Sequence, residues 1–150
     1  MDTGWGRLTA AVDAEAAWRR PTVAALLVAA VATAGSLSYS LLLGLYPCRL
    51  CWYQRILMYP LVVVLAYGLL GDHGDVHRAV LPMSTLGVAI AAYHSYIQVA
   101  GASTCGTFAC ATVQRRVLGL TIPNQSLVAF LLVTGLMAAV ALRGRRGPRP

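Results

Sequence analysis

Four long apolar stretches, separated by short polar segments, dominate the pattern of hydrophobic positions along the chain. They cover about residues 22–46, 52–71, 79–100 and 123–142. A helix needs about 20 mostly apolar residues to cross a bilayer, and an unpaired backbone N–H or C=O group in hydrocarbon costs several kcal/mol. The pattern therefore predicts an all-α fold, in which four membrane-spanning helices form one integral-membrane bundle over residues 1–150.

The prolines affect these four helices differently. Pro60 lies inside the second stretch, where the missing N–H removes a helix hydrogen bond and predicts a kink. Pro82 and Pro123 lie near the starts of the third and fourth stretches. Proline is tolerated there, because first-turn N–H groups have no partner within the helix.

Composition supports a membrane protein. Hydrophobic residues make up 58% of the chain and charged residues only 11%, and the mean hydropathy is +0.66. A water-soluble domain of this length would not stay in solution with so few charges.

The positive charges predict the orientation in the membrane. All 12 are arginines, and eight of them lie on the side that holds both termini. The positive-inside rule places this side, and therefore both termini, in the cytoplasm. The two loops that contain the cysteines then face outward, into the compartment where disulfides persist. The net charge of +7 does not indicate nucleic-acid binding, because the arginines flank the spans and form no known binding motif.

A cleaved signal peptide is an alternative interpretation of the first stretch. Residues 23–31 could be its apolar region, and Ala32-Thr33-Ala34 could be a small-residue cleavage site. The apolar stretch, however, continues through Leu45, and cleavage would remove the span that precedes the first cysteine pair. A membrane anchor is therefore the preferred interpretation.

A C-x-x-C pair, Cys48 and Cys51, lies where the second helix is predicted to begin. Two cysteines at this spacing come within bonding reach in a turn or a first helical turn, and a helix N-terminus favours the reactive thiolate. Arg55 follows Cys51 by four residues, so that on a helix both lie on one face and the guanidinium could stabilise a thiolate. Alternatively, Arg55 only anchors the helix end at the membrane interface.

A second pair, Cys105 and Cys110, forms C-x4-C in the longer outer loop. By itself it could be a static loop disulfide or an exchangeable one. Two pairs on one face favour exchange of electrons between them. No metal site is expected from the four cysteines, because a second C-x-x-C is lacking and an oxidising compartment disfavours free thiolates.

Polar residues near the outward end of the third span are unusual at that depth. His94 and Gln98 are four residues apart and therefore lie on one helix face. They could donate hydrogen bonds to the carbonyl oxygens of a lipid-soluble quinone. The alternative is that His94 only joins two helices by a hydrogen bond.

Residues 47–56 read Pro-Cys-Arg-Leu-Cys-Trp-Tyr-Gln-Arg-Ile, which resembles the signature of DsbB-type disulfide oxidoreductases, especially the short BdbC branch. The resemblance extends to the four spans, the paired outer-loop cysteines, the Tyr93-His94 pair and the Ile122-Pro123 entry to the fourth span. Gln54 departs from the longer members of the family, which often have an acid at this position.

The resemblance implies a multi-pass enzyme of the bacterial cell membrane. It would reoxidise an extracytoplasmic, thioredoxin-fold thiol oxidase of the DsbA or BdbD type and pass the electrons to ubiquinone or menaquinone, thereby supporting disulfide bond formation. Cys105 would form the mixed disulfide with this partner, Cys110 would exchange with Cys48, and Cys51 would be released as the thiolate facing the quinone. Arg55, His94 and Gln98 would contact the quinone.

Two other functions remain as alternatives. The chain could be a non-enzymatic membrane protein whose outer loops are held by structural disulfides. It could also be a thiol/quinone enzyme similar to vitamin-K-epoxide reductases, although those proteins place their C-x-x-C late in the chain.

Overall fold

The computed structural model describes residues 4–101, 116, 117 and 119–146. This part of the chain folds into helices α1 (Gly4–Leu41), α2 (Arg49–Leu70), α3 (His77–Ala100) and α4 (Ile122–Arg146), with two short strands, β1 (Arg116–Val117) and β2 (Leu120–Thr121). Each helix contains a segment long and apolar enough to cross a membrane. The prediction of an all-α, four-helix membrane bundle is therefore confirmed.

The first helix differs in its bounds from the predicted segment. It begins before residue 22 and ends at Leu41 instead of continuing to residue 46. The amides of Leu42 and Leu43 bond to the Ser38 carbonyl at 3.0 and 3.3 Å, and Gly44 adopts a left-handed φ of 61°. The apolar residues that follow Leu41 therefore form a turn, which hydropathy alone does not separate from the helix.

A small antiparallel ribbon, which the hydropathy pattern does not predict, precedes α4. Arg116 pairs with Thr121 and Val117 pairs with Leu120. Gly119 has a φ of 79°, which costs glycine little in a tight turn because it has no Cβ. The ribbon leads directly into the first turn of α4.

The four helices pack in a ring, in which α1 contacts α2 and α4, and α3 contacts the same two helices. One apolar core fills the centre. Its members include Ala25, Ala29, Met58, Leu61, Leu65, Val80, Ala91, Phe130, Val133 and Met137. Small residues allow close helix contact: a Cβ on Gly87 of α3 would overlap the ring of Phe130 in α4.

Large apolar side chains also cover the outside of the bundle. Exposed examples from all four helices are Leu27, Val31, Ile56, Val63, Leu86, Val99 and Leu132. An apolar exterior around an apolar core is what a lipid environment allows, because lipid tails are as apolar as leucine. The outward faces are therefore suited to contact with acyl chains.

Candidate active site

The C-x-x-C pair caps the N-terminus of α2. Cys48 is the N-cap residue in an extended conformation, and its sulfur accepts a hydrogen bond from the Cys51 amide at 3.4 Å. The two Sγ atoms lie 2.9 Å apart. The site therefore has the helix-terminal position that the spacing predicts.

The two cysteines have different surroundings. Cys48 is buried, with 7% of its surface exposed, whereas Cys51 is half-buried. The hydrogen bond with the Cys51 thiol, and then burial, raise the pKa of Cys48 to about 12, although the His94 contact acts in the opposite direction. This hydrogen bond and burial therefore hold Cys48 in the thiol form at neutral pH.

His94 reaches the cysteine pair from α3. Its Nε2 lies 3.7 Å from the Cys48 sulfur, and its Nδ1 lies 3.1 Å from Nε2 of Gln54 on α2. His94 is 2% exposed and Gln54 is 5% exposed. A buried row of polar groups therefore runs from Gln54 through His94 to Cys48.

Gln54 is a site residue that the sequence analysis did not propose. Its sequence signal was a polar amide three residues after Cys51 within an apolar span. Polar residues inside a membrane helix usually face the bundle interior and have a partner there. That partner, His94, is 40 positions away in the chain and is brought close only by the packing of α2 against α3.

Arg55 joins α2 to α1. Its Nη2 donates to the Ser36 carbonyl at 3.0 Å and to the Ser40 hydroxyl. The guanidinium carbon also lies 5.8 Å from the centre of the Trp52 ring, within the range of a cation–π contact. These contacts hold the positive charge close to the start of α2.

A cleft between α1, α2 and α4 brings Cys51 and Arg55 onto one surface. It is partly open, and its empty space is about 560 Å³ when the open part is included. The described residues that line it are Ala32, Ser36, Tyr39, Leu45, Tyr46, Pro47, Cys51, Gln54, Arg55, Met58, Tyr59, Ile122, Ser126 and Phe130. Most of these side chains are apolar or aromatic, with a few polar groups near the cysteine.

The other predicted site residues have different positions. Neither His94 nor Gln98 is among the residues that line the cleft; His94 instead contacts Cys48, and Gln98 lies half-buried one turn further along α3. Cys105 and Cys110 fall outside the described residues. Of the three predicted quinone contacts, Arg55 is thus the one that is among the described residues lining the cleft.

A protein-family model matches most of the chain. Residues 18–140 match the family model described as disulfide bond formation protein DsbB. The match includes all seven of the predicted site residues.

Curated bacterial proteins are also similar to this chain. The SPbeta prophage-derived disulfide bond formation protein B of Bacillus subtilis is 35% identical over 76% of this chain and 80% of its own length. A probable disulfide formation protein of Deinococcus radiodurans is 40% identical over 76% of this chain and 84% of its own. Disulfide bond formation protein C of B. subtilis is 38% identical, over 73% and 84% respectively. No solved structure gives a significant match.

Proposed function

Because the chain belongs to the DsbB family of disulfide bond formation proteins, we propose that this membrane disulfide oxidoreductase reoxidises an extracytoplasmic, thioredoxin-fold dithiol protein and passes the electrons to a quinone. The observation that carries the proposal is the shared cleft of Cys51 and Arg55. A cysteine that faces an apolar cleft beside a fixed positive charge is placed to react with a lipid-soluble electron acceptor.

The cleft has the chemistry that a quinone head group requires. Aromatic and aliphatic side chains such as Tyr59, Met58 and Phe130 offer flat apolar contacts. The Arg55 guanidinium has five N–H donors, and two of its described contacts are to α1 oxygens. Ubiquinone and menaquinone both have ring carbonyls that can accept from such a donor. A quinone held here supplies an acceptor for two electrons and two protons, the number released when two thiols become a disulfide.

The asymmetry of the pair supports different roles for the two cysteines. Cys51 lines the cleft, and Cys48 is not among the described lining residues. Cys51 is therefore the cysteine that faces the acceptor as a thiolate, and Arg55 offsets its negative charge. Cys48 is the member that exchanges with the second pair.

We assign Cys105 and Cys110 the steps that precede this exchange. A thiolate of the reduced partner attacks Cys105 of the Cys105–Cys110 disulfide, which forms the mixed disulfide and releases Cys110 as a thiolate. The partner's second thiol then displaces Cys105. The partner dithiol loses two electrons and two protons as its disulfide forms, and this protein's disulfide gains them. Cys110 next attacks Cys48, which leaves Cys51 as the thiolate.

The contacts of His94 support a role other than the predicted quinone contact. Its ring is in contact with the Cys48 sulfur and its other nitrogen is held by Gln54. We assign His94 to the orientation of Cys48 and to the transfer of the thiol proton. A quinone contact of Gln98 stays a prediction.

The experiment that tests this function measures quinol formation without oxygen. The oxidised protein is mixed with a reduced thioredoxin-fold dithiol protein and with ubiquinone or menaquinone. Wild type is expected to form quinol, whereas Cys51→Ser is expected to form none, because no thiolate then faces the cleft. Arg55→Gln is expected to retain the disulfides but to need more quinone for the same rate.

The folding of the cysteine variants separates an enzyme from a protein with structural disulfides. Cys51→Ser should keep the far-ultraviolet circular dichroism of wild type, since an active-site change removes turnover and not the fold. No quinol from well-folded wild type, with several dithiol partners and both quinone classes tried, would contradict the proposal. Loss of folding in the cysteine variants would favour structural disulfides instead.

A further inference from the structure

A second property of the cysteine site follows from the position of His94. Each of the residues Cys48, Cys51 and His94 offers one possible ligand atom, and these three atoms all lie within 4.8 Å of one another. We propose that the reduced cysteine pair and His94 form a binding site for Zn²⁺, and that zinc binding keeps the reduced pair out of the redox cycle.

The chemistry of the ligands fits zinc. Two thiolates and one imidazole form the Cys₂His set of zinc sites that keep a fourth position open for water. Zinc prefers such nitrogen and sulfur ligands, whereas calcium and magnesium require oxygen ligands. The half-buried position of Cys51 leaves a route for the ion and for a fourth ligand.

The distances are close to those of a tetrahedral site. Zn–S bonds of about 2.3 Å and Zn–N bonds of about 2.0 Å place neighbouring ligand atoms about 3.5–3.8 Å apart. The Cys48 sulfur and His94 Nε2 are 3.7 Å apart, within this range. The two sulfurs are 2.9 Å apart and would have to separate by about 0.9 Å to reach it, a change that rotation of the half-buried Cys51 side chain can supply.

Gln54 supplies the second layer of contacts that zinc sites commonly have. A histidine that binds metal through one ring nitrogen usually donates its other N–H to an acceptor, which fixes the tautomer and the ring orientation. The Gln54 amide lies 3.1 Å from His94 Nδ1. Rotation of the amide by about 180° places its oxygen at this position, since its oxygen and nitrogen have nearly the same shape. Nδ1–H can then donate to the oxygen, and the lone pair of Nε2 points towards the sulfurs.

Zinc binding depends on the redox state of the pair. Each thiol that becomes a thiolate ligand releases one proton, so that binding to the dithiol releases two. A disulfide has no thiolate and cannot form the site. While zinc holds both sulfurs, neither can attack a disulfide or transfer electrons. Only this inhibitory consequence rests on the proposed function.

Cobalt binding tests the site directly, without quinone or partner. The full-length chain in detergent carries Cys105→Ser and Cys110→Ser, so that Cys48 and Cys51 are its two thiols, and it is reduced before Co²⁺ is added. We expect one bound Co²⁺ per chain, a thiolate-to-cobalt absorption band and displacement of the cobalt by Zn²⁺. The band should be absent from the oxidised protein and from the Cys48→Ser variant.

Variants of the two polar residues test the geometry. His94→Ala should weaken Co²⁺ binding by at least about 10-fold, and Gln54→Leu by about 10–100-fold, which is typical for loss of an outer contact. Gln54→Glu should bind at least as tightly as wild type, because a carboxylate is the stronger acceptor for the histidine N–H. His73→Ala, which changes an exposed histidine outside the spans, is the matched control and should bind as wild type does.

Two results would overturn the proposal. One is the absence of saturable Co²⁺ binding by the reduced, folded chain. The other is equal affinity of the His94→Ala variant and the control variant, which would mean that the cysteines alone hold the ion. Circular dichroism of each variant verifies that the fold is retained.

The quinol assay separates this inference from the proposed function. Zn²⁺ should inhibit quinol formation in wild type, and a chelator should restore it. Quinol formation that continues at Zn²⁺ concentrations that saturate the site would overturn the inhibitory role. Failure to form quinol in the absence of zinc would instead contradict the proposed function, and the Co²⁺ result would still stand.

Discussion

At the scale of single residues, Cys48 and Cys51 differ in chemistry although they are only three positions apart in the chain. Cys48 caps α2 and is enclosed by Cys51 and by His94 of α3. Cys51 begins the helical turn that lines the cleft. A helix N-terminus stabilises a nearby negative charge, but burial opposes charge on Cys48. The local fold therefore favours Cys51 as the nucleophile.

Alkylation of the reduced protein checks this difference. The pKa of Cys48 is raised from 9.0 to about 12, so that its thiolate fraction at neutral pH is about a thousandfold below that of an ordinary cysteine. In the Cys105→Ser/Cys110→Ser background, iodoacetamide should modify Cys51 first, as peptide mass spectrometry would show. Modification of Cys48 should become faster as the pH rises from 9 towards 12, because the thiol then loses its proton.

Denatured protein is the control for the alkylation. There the two cysteines should react at similar rates, because the hydrogen bond between the two thiols and the burial of Cys48, which together raise its pKa, are lost. Equal rates in the folded protein at neutral pH would contradict the assignment of Cys48 as the protected member.

At the scale of helices, contacts between neighbouring helices hold the bundle together at a proline in α1 and at a glycine in α3. Pro21 lies inside α1, and its missing N–H leaves the Ala17 carbonyl without its helical partner. Arg143 of α4 donates to this carbonyl at 3.3 Å. A side chain from a neighbouring helix thus compensates for a proline, and α1 continues past it.

The contact between α3 and α4 predicts the effect of a single methyl group. Gly87→Ala would place a Cβ inside the ring of Phe130, which is fully buried. Overpacking of this kind typically costs about 1–3 kcal/mol. The variant should therefore unfold at a lower temperature or denaturant concentration than wild type, as followed by circular dichroism in detergent.

Gly135→Ala in α4 is the matched control for this change. A Cβ at this position meets no atom within 4 Å, and alanine is favoured over glycine within a helix by up to about 1 kcal/mol. The control should therefore be as stable as wild type or more stable. Equal stability of the Gly87→Ala variant and this control would show that α3 and α4 are not packed as described.

At the scale of the whole molecule, the bundle places all the described redox groups at one end. Cys48, Cys51 and Arg55 lie at the start of α2, and His94 lies towards the end of α3. The loop between α2 and α3, with Asp72 and His73, lies at the opposite end. The proposed reaction with an extracytoplasmic partner requires the cysteine end to face outward.

The distribution of arginines predicts this orientation. From the order of the four spans along the sequence, eight of the 12 arginines are predicted on the side opposite the cysteines, and the positive-inside rule places that side in the cytoplasm. A single cysteine introduced as Leu120→Cys in a chain without its own cysteines should react with a membrane-impermeant maleimide on intact cells. His73→Cys should react only after the cells are permeabilised. The opposite result would reverse the orientation.

Much of this architecture could be predicted because the bilayer restricts it strongly. Four apolar stretches have few alternatives to four helices, since each backbone polar group in hydrocarbon must find a partner within the chain. The C-x-x-C spacing likewise predicted a reactive pair at a helix start. The end of α1 was placed five residues too late, at residue 46 instead of Leu41, because the turn that follows is as apolar as the helix.

By itself the sequence determined the membrane class, the number of helices and the family, and it predicted the cysteines that carry the chemistry, since each depends on local composition or spacing. Tertiary structure alone decided which groups surround those cysteines. His94 and Gln54 are 40 positions apart, and α2 and α3 must pack in one rotation for them to meet beside Cys48. The cleft of Cys51 and Arg55 similarly requires α1 and α4. Hydrophobic periodicity shows that a helix has an apolar face but not which helix covers it, and for that reason the partners of the redox pair emerge only from the packed bundle.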